Sequence, residues 1–370
     1  MDWKVRFIDY PAQFKKMENE VMDSIKTLLS QGDLMLRQQL RDFEASLAAF
    51  VGTRYAVGVS NCTDALHLTL RAAGVGPGDE VITVSHTFVA TTAAIHHAGA
   101  TPVLVDIGDD HNMDVDIIGQ AITPRTKVIL PVHLNGRLCD MGRLMSLAEK
   151  HGLVVIEDSA QALGASFDGR FGGSFGLAGC FSFYPAKMLG AFGDAGAVVT
   201  NSKEIAESVR LLRNHGRTPN GDVVGWSFNC RLDNVQASFL DLKLKKLPQW
   251  ISRRRDLAAL YHSQLAGVRQ LRLPPPPTDT GPHYDVFQNY EVEADGRDSM
   301  VSHLKERGVE ILIPWGGKAV HQFEALGLSH FKLPRTERLF REALMLPLHT
   351  ELSDDQVRYV CQCVQEFYGS

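Results

Sequence analysis

Between residues 55 and 200 the chain alternates short apolar runs with segments whose apolar residues recur at helical spacing, and this limits its possible folds more than any other feature. Apolar runs fall at 55–60, 80–84, 102–106, 127–132, 153–156 and 196–200, with a further one starting at Cys180. Helical spacing covers 87–98 and 141–151, and Ala65, Leu66, Leu68, Leu70 and Ala73 lie on helical offsets just after the first run. Two more helical patterns, 15–29 and 36–50, precede it and are joined at Gly32. Runs that lack polar alternation are strands buried on both faces, and intervening helices are the crossovers a largely parallel sheet requires. In such sheets functional groups gather beyond the carboxyl ends of the strands.

Four of those positions carry chemistry. After the first run, Ser60-Asn61-Cys62-Thr63 feeds a strand into a capped helix, whose unpaired N–H groups and macrodipole suit a phosphate; a plain capped helix is the simpler alternative. The run Leu153-Val154-Val155-Ile156 ends in Glu157-Asp158-Ser159-Ala160-Gln161. An aspartate there must accept backbone hydrogen bonds or face a cation, and helix capping is the competing role. Phe88, just past Val84, is either core or a stacking platform. Lys187 sits among Pro185, Ala186, Met188, Leu189 and glycines, where poor solvation favours the free amine, although an exposed loop lysine is the ordinary reading of one lysine alone. Together the four match the needs of pyridoxal phosphate: a Schiff-base lysine, a carboxylate for the pyridine nitrogen, a helix start for the phosphate and an aromatic for the ring.

The length of 370 residues suggests one large domain and a smaller one, divided here as 1–245 and 246–370. Residues 234–265 read as a long helix interrupted near Pro248, with KLKKL and SRRRD as its solvated face. Past the stiff Pro274-Pro275-Pro276-Pro277, the alternation VFQNYEVEA, a helix at 297–307, a strand at 309–313 and helices around Leu339 and at 354–367 suggest a small α+β domain. A formal net charge of −5 gives no general attraction to nucleic acid. The absence of a long apolar run points away from the membrane and to a cytoplasmic protein. Six scattered cysteines, with only Cys361 and Cys363 close together, read as reduced thiols; no metal site is expected.

The segments NCTDALHL, HTFVATTAAIHHAGATPVLVDI, ITPRTKVILPVHLNG, VIEDSAQALGA, FSFYPAKMLGAFGDAGAVVTN and FNCRLDNVQA resemble, in order, motifs of the DegT/DnrJ/StrS family of pyridoxal-phosphate-dependent nucleotide-sugar aminotransferases, within the aspartate aminotransferase superfamily. The resemblance implies the fold type I α/β architecture: a large domain with a mainly parallel seven-stranded sheet between helices, and a small C-terminal α+β domain. It implies that Lys187 forms the Schiff base and then shuttles a proton, that Asp158 pairs with the pyridine nitrogen, that Gln161 lies near the phenolic oxygen and that Phe88 stacks on the ring. Cys62, Thr63 and Ser182 would hold the phosphate, and Asn229 would reach the phosphate of a neighbouring subunit in a homodimer with shared active sites. Arg231, Lys318 and His321 are candidate substrate contacts. The implied reaction is ping-pong transfer of the amino group of L-glutamate, through pyridoxamine phosphate, to C3 or C4 of a nucleotide-linked keto deoxyhexose. Relatives that replace the lysine with histidine are sugar dehydratases, and a regulatory member without catalysis is a further alternative; the presence of Lys187 favours amino transfer. Two departures are Cys62 and Ala195, where the family usually has glycine.

Overall fold

A computed structural model describes residues 3–369 of the chain. Its central sheet has seven strands in the spatial order Tyr55–Val59, Gly196–Thr200, Ala178–Ser182, Val154–Asp158, Thr126–Ile129, Glu80–Val84 and Thr101–Val105. From Ala178–Ser182 to Thr101–Val105 every pairing is parallel, whereas Gly196–Thr200 runs antiparallel to both of its neighbours. The reversal follows from connectivity: Gly196–Thr200 returns directly beside Ala178–Ser182 through a loop, and only parallel neighbours need a crossover. Glu80–Val84 and Gly196–Thr200 are buried at every position, which is why apolar residues dominate both, and the buried Glu80 accepts from Thr123 and Arg125. Pro102 falls on an edge strand, where a missing N–H is tolerated.

Helix Cys62–Ala72 packs on Ala178–Ser182 and Gly196–Thr200 and buries Ala65, Leu66, Leu68 and Leu70 against them. Its Asn61 cap accepts from the Asp64 N–H, and the Asp64 carboxylate accepts in turn from Asn61 Nδ2 and Ser60 Oγ. Close packing behind this helix start depends on Gly196, where a Cβ would lie 2.4 Å from the Asn61 carbonyl carbon. Cys62 and Ala195 both have negative φ, so a side chain in place of the family's glycine introduces no left-handed strain at either position.

A second buried core lies around the antiparallel sheet of Leu271–Arg272, Tyr290–Ala294 and Ala343–Leu346, packed by helices Arg297–Glu306 and Asp354–Tyr368. For this half one expectation holds, one needs correction and one holds only in part. The segment 234–265 is two helices, Asn234–Leu244 and Leu247–Leu265, with Pro248 in the first turn of the second, where its missing N–H has no helical partner to lose. The second helix ties the cores together, since Leu247 and Ile251 pack in the first and Leu257, Tyr261 and Leu265 in the second. The expected strand at 309–313 is absent. Instead Val309 bridges to Val5, and Leu312 to Met345, before the chain turns at Trp315. The basic clusters are a solvated face only in part, since Lys245 is exposed and Lys246 and Arg253 are half-buried. Lys243, Arg254 and Arg255 are buried, Lys243 donating to the Gly190 carbonyl and Arg254 to those of Phe287, Gln288 and Leu348.

Candidate active site

A cavity of about 560 Å³ opens beyond the carboxyl ends of the parallel strands and is closed on the far side by the second core and by Phe7 and Ile8. This is within the size range of cofactor and substrate sites. Cys62, Thr63, Phe88, Asp158, Gln161, Ser182 and Lys187 all line it.

Strand pleating explains why two adjacent carboxylates have different surroundings. The fully buried Glu157 Oε1 accepts from the Phe175 and Gly176 N–H groups, and its Oε2 from the Gly173 N–H and from His133 Nε2. It organises a loop and is satisfied. Asp158, also buried, points into the cavity, and among the described residues its carboxylate accepts only from Thr91 Oγ1 at 2.8 Å and the Ala160 N–H at 3.2 Å. Burial raises its pKa against those two hydrogen bonds and the attraction of Lys187. The Thr91 hydroxyl gives its proton to Asp158 and so accepts from Thr87 Oγ1, 2.7 Å away.

Lys187 lies in the loop between Ala178–Ser182 and Gly196–Thr200, and its amine makes no hydrogen bond or ion pair among the described residues. Burial lowers its pKa, opposed by Cys62 and Asp158. Burial also raises the Cys62 thiol well above its ordinary value, so this cysteine stays neutral at the helix start. Phe88 is 56% exposed despite facing the cavity, an aromatic surface without an occupant from this chain.

One cavity thus holds a buried carboxylate, a buried amine with no hydrogen bond or ion pair among the described residues, and a capped helix start. Pyridoxal phosphate meets all three, with its ring nitrogen, aldehyde and phosphate respectively. The fold and the cavity thus define a pyridoxal-phosphate-dependent transferase of fold type I. Comparison with known proteins narrows the class: a model of the DegT/DnrJ/EryC1/StrS aminotransferase family matches residues 15–365, and the chain belongs to that family. It is 42% identical over 369 residues to the dTDP-3-amino-3,4,6-trideoxy-alpha-D-glucose transaminase of Streptomyces venezuelae, covering 98% of this chain and 96% of that one. It is 39% identical over 368 residues to a pleiotropic regulatory protein of Geobacillus stearothermophilus, with 98% of each chain covered. Among solved structures, S. venezuelae DesV in complex with a ketimine intermediate superposes with a TM-score of 0.95 at 41% identity over 99% of both chains.

Four of the residues singled out in the sequence lie outside the cavity wall. Asn229 is exposed and Arg231 half-buried, on the segment after Trp226. Lys318 is exposed. His321 is neither a surface residue nor a cavity residue: it is buried, with Ser85 Oγ 2.7 Å from its Nδ1 and Glu337 3.4 Å from its Nε2, and fastens the 320–322 turn to a strand end. Conversely, Tyr184, Asp194, Arg254, Gln288, Asn289 and Trp315 line the cavity without having been picked out. The one available signal for Gln288 and Asn289 was a pair of amides ahead of an apolar strand, which does not distinguish a site from a turn.

Proposed function

We propose that the protein transfers the amino group of L-glutamate to a keto group at C3 or C4 of a deoxyhexose linked to a nucleoside diphosphate. The two half reactions would alternate in one cavity. The observation that carries this reading is the presence, in one cavity of a member of an aminotransferase family, of the buried Lys187 amine and the buried Asp158 carboxylate.

Pyridoxal phosphate supplies, when bound, a carbonyl that takes up and returns nitrogen and a ring that accepts electrons. Asp158 keeps a proton on the ring nitrogen, and Thr91 and the Ala160 N–H hold that carboxylate in place. Lys187 would hold the cofactor and would move the proton at the substrate carbon; its lowered pKa leaves a larger neutral fraction for that work. The N–H groups of Cys62 and Thr63, with the Thr63 and Ser182 hydroxyls, receive the phosphate. Gln161 and Phe88 orient the ring.

Asn229 is assigned to the phosphate in the neighbouring subunit of a homodimer, together with the exposed segment bearing Val223, Val224 and Trp226. Arg231 and Lys318 are retained as substrate contacts at the mouth of such a shared site, and His321 as support for it. A dimer is tested by light scattering, which a monomeric mass would contradict. Among the described residues no helix is long and apolar enough to cross a membrane, and we place the protein in the cytoplasm.

The decisive experiment incubates the enzyme with glutamate and a panel of 3-keto and 4-keto nucleotide sugars, with products identified by mass and NMR. An amino sugar formed together with 2-oxoglutarate supports the proposal. Loss of the sugar oxygen without nitrogen gain would indicate a dehydratase, and turnover of none of the panel would favour the regulatory role carried by one relative's name.

A further inference from the structure

Gln288 and Asn289 form a consecutive pair at the entry to strand Tyr290–Ala294 of the second core. The Gln288 carboxamide spans the lysine: Oε1 accepts from the Met188 N–H at 2.6 Å, and Nε2 donates to the Ala186 carbonyl at 2.8 Å. One side chain therefore grips the backbone on both sides of Lys187. Its neighbour Asn289 donates from Nδ2 to Gln161 Oε1 at 3.2 Å and to Asn135 Oδ1 at 2.9 Å, and the Asn135 N–H donates to the same Gln161 oxygen at 2.8 Å. With its oxygen taken by two donors, Gln161 can present only its Nε2 to the cavity.

The pair is itself fixed. Arg254 Nη1 donates to the carbonyls of Phe287, Gln288 and Leu348, Phe287 has φ +52°, and the Val286 N–H donates to the Gly136 carbonyl. At Gly136 a Cβ would approach the Gln288 nitrogen to 2.7 Å, so the two backbones lie in direct contact there.

We infer that Gln288 and Asn289 are positioning residues for the transfer reaction, one setting the lysine loop and the other the amide face of Gln161, so that a single dipeptide of the second core fixes both groups relative to each other. The inference rests on Lys187 being the residue that carries the cofactor. Each amide has its own target, so the two halves are separable. Loss of the Gln288 clamp frees the loop and admits water to Lys187, while loss of the Asn289 amide releases Gln161 and leaves the loop as it was.

The test uses Q288M, which keeps the unbranched shape and removes both hydrogen bonds, and N289A, beside wild type and K187A. In cofactor-free protein the reactivity of Lys187 toward limiting acetic anhydride is followed by peptide mass spectrometry across pH. Titratable or charged groups around the lysine are Asp158, Cys62, Tyr184, Asp194 and Arg254, all retained in both variants. Q288M is expected to move the midpoint upward by about one pH unit, a roughly 10-fold loss of labelling near neutral pH, because a better-solvated amine holds its proton longer. N289A is expected to leave that profile at the wild-type position and to shift the pH titration of the visible absorbance after loading with pyridoxal phosphate. Faster hydrogen exchange at the Met188 amide in Q288M alone would confirm the broken clamp, and it serves as the reading if the labelling shift is small. Wild-type labelling and exchange in Q288M overturn the assignment of Gln288, and an unshifted absorbance titration in N289A overturns that of Asn289. Should K187A instead retain the absorbance of the loaded wild type, the underlying assignment of Lys187 has failed, and the amide pair is not what was refuted.

Discussion

The two walls of the cavity are built from different materials. On the side of the central sheet, strand ends and a helix start present Asp158, Thr63 and Ser182, and the loops that follow two of the strands present Gln161 and Lys187, tied in place by Asn289 and Gln288. On the opposite side, Phe7, Ile8, Leu312, Pro314, Trp315, Met345, Leu346 and Leu348 present mostly apolar surface drawn from the N-terminal segment and the second core. Reacting groups need fixed directions, which rigid elements supply, whereas a binding surface needs mainly shape and dryness. On the proposed function, bond making belongs to the sheet side and substrate fit to the other.

Lys187→Ala gives the largest expected effect: turnover falls by about 10⁴-fold or more, since carrier and proton shuttle are lost together. Release of 2-oxoglutarate from glutamate measures it, and near-normal release would remove the sheet side's claim to the chemistry. Asp158→Asn is expected to cost roughly 10³-fold in kcat with KM for glutamate changed far less, as befits a group that stabilises developing charge. An equal loss in KM would make it a binding residue.

The third prediction concerns the seam between the walls. His111, held at φ +67°, places Nδ1 3.0 Å from Glu291 and Nε2 3.0 Å from Glu293, while His86 and Arg335 approach the same two carboxylates. Burial opposes the His111 charge, but the hydrogen bonds of Glu291 and Glu293 outweigh it and raise its pKa to about 9. A pKa raised on folding means stability that is fully present below about pH 6.5 and is lost as pH rises through 9, amounting to at most ~3 kcal/mol. Urea unfolding at a series of pH values should show this slope in the wild type and a flatter one in His111→Gln. Parallel slopes would mean that the seam is held by other contacts.

The smallest effect sharpens the apolar side. Leu312→Asn should lower kcat/KM for the keto sugar by about 10-fold while the half reaction with glutamate keeps its rate. If both halves suffer alike, the division between the walls does not hold.

The same contrast explains what could be read from the chain alone. Helix Met141–His151 and strands Glu80–Val84 and Gly196–Thr200 match their expected limits, because one buried face writes a helical period and burial on both faces writes an apolar run. Asp158 and Lys187 were legible because they follow such elements at short range. The far wall was not: Gln288 acts through backbone atoms about 100 residues away, and nothing local in VFQNYEV encodes that meeting. Residues 309–313 have strand composition but pair only through single bridges, since their neighbours come from residues 5 and 345 and no continuous partner runs alongside. Arg254 and Arg255 look solvated in a charged cluster, yet carbonyl groups from distant loops satisfy them in the interior. His321 likewise had a histidine's ordinary surface character in sequence until Ser85, distant in the chain, enclosed it.

The placement of Gly196–Thr200 between Tyr55–Val59 and Ala178–Ser182 also governs the order in which the molecule can assemble. The pair Ala178–Ser182 and Gly196–Thr200 closes over the loop 183–195 alone and can form as soon as both strands exist. Tyr55–Val59, made far earlier, pairs in the sheet only with Gly196–Thr200, so Tyr55 waits for Thr200, about 145 residues further on. At ribosomal rates of ~5–20 residues per second that wait lasts roughly 7–30 s. Throughout it the first strand lacks its sheet partner, so the helix start at Cys62 cannot join Asp158 and Lys187 in one cavity until nearly the whole large sheet has been made.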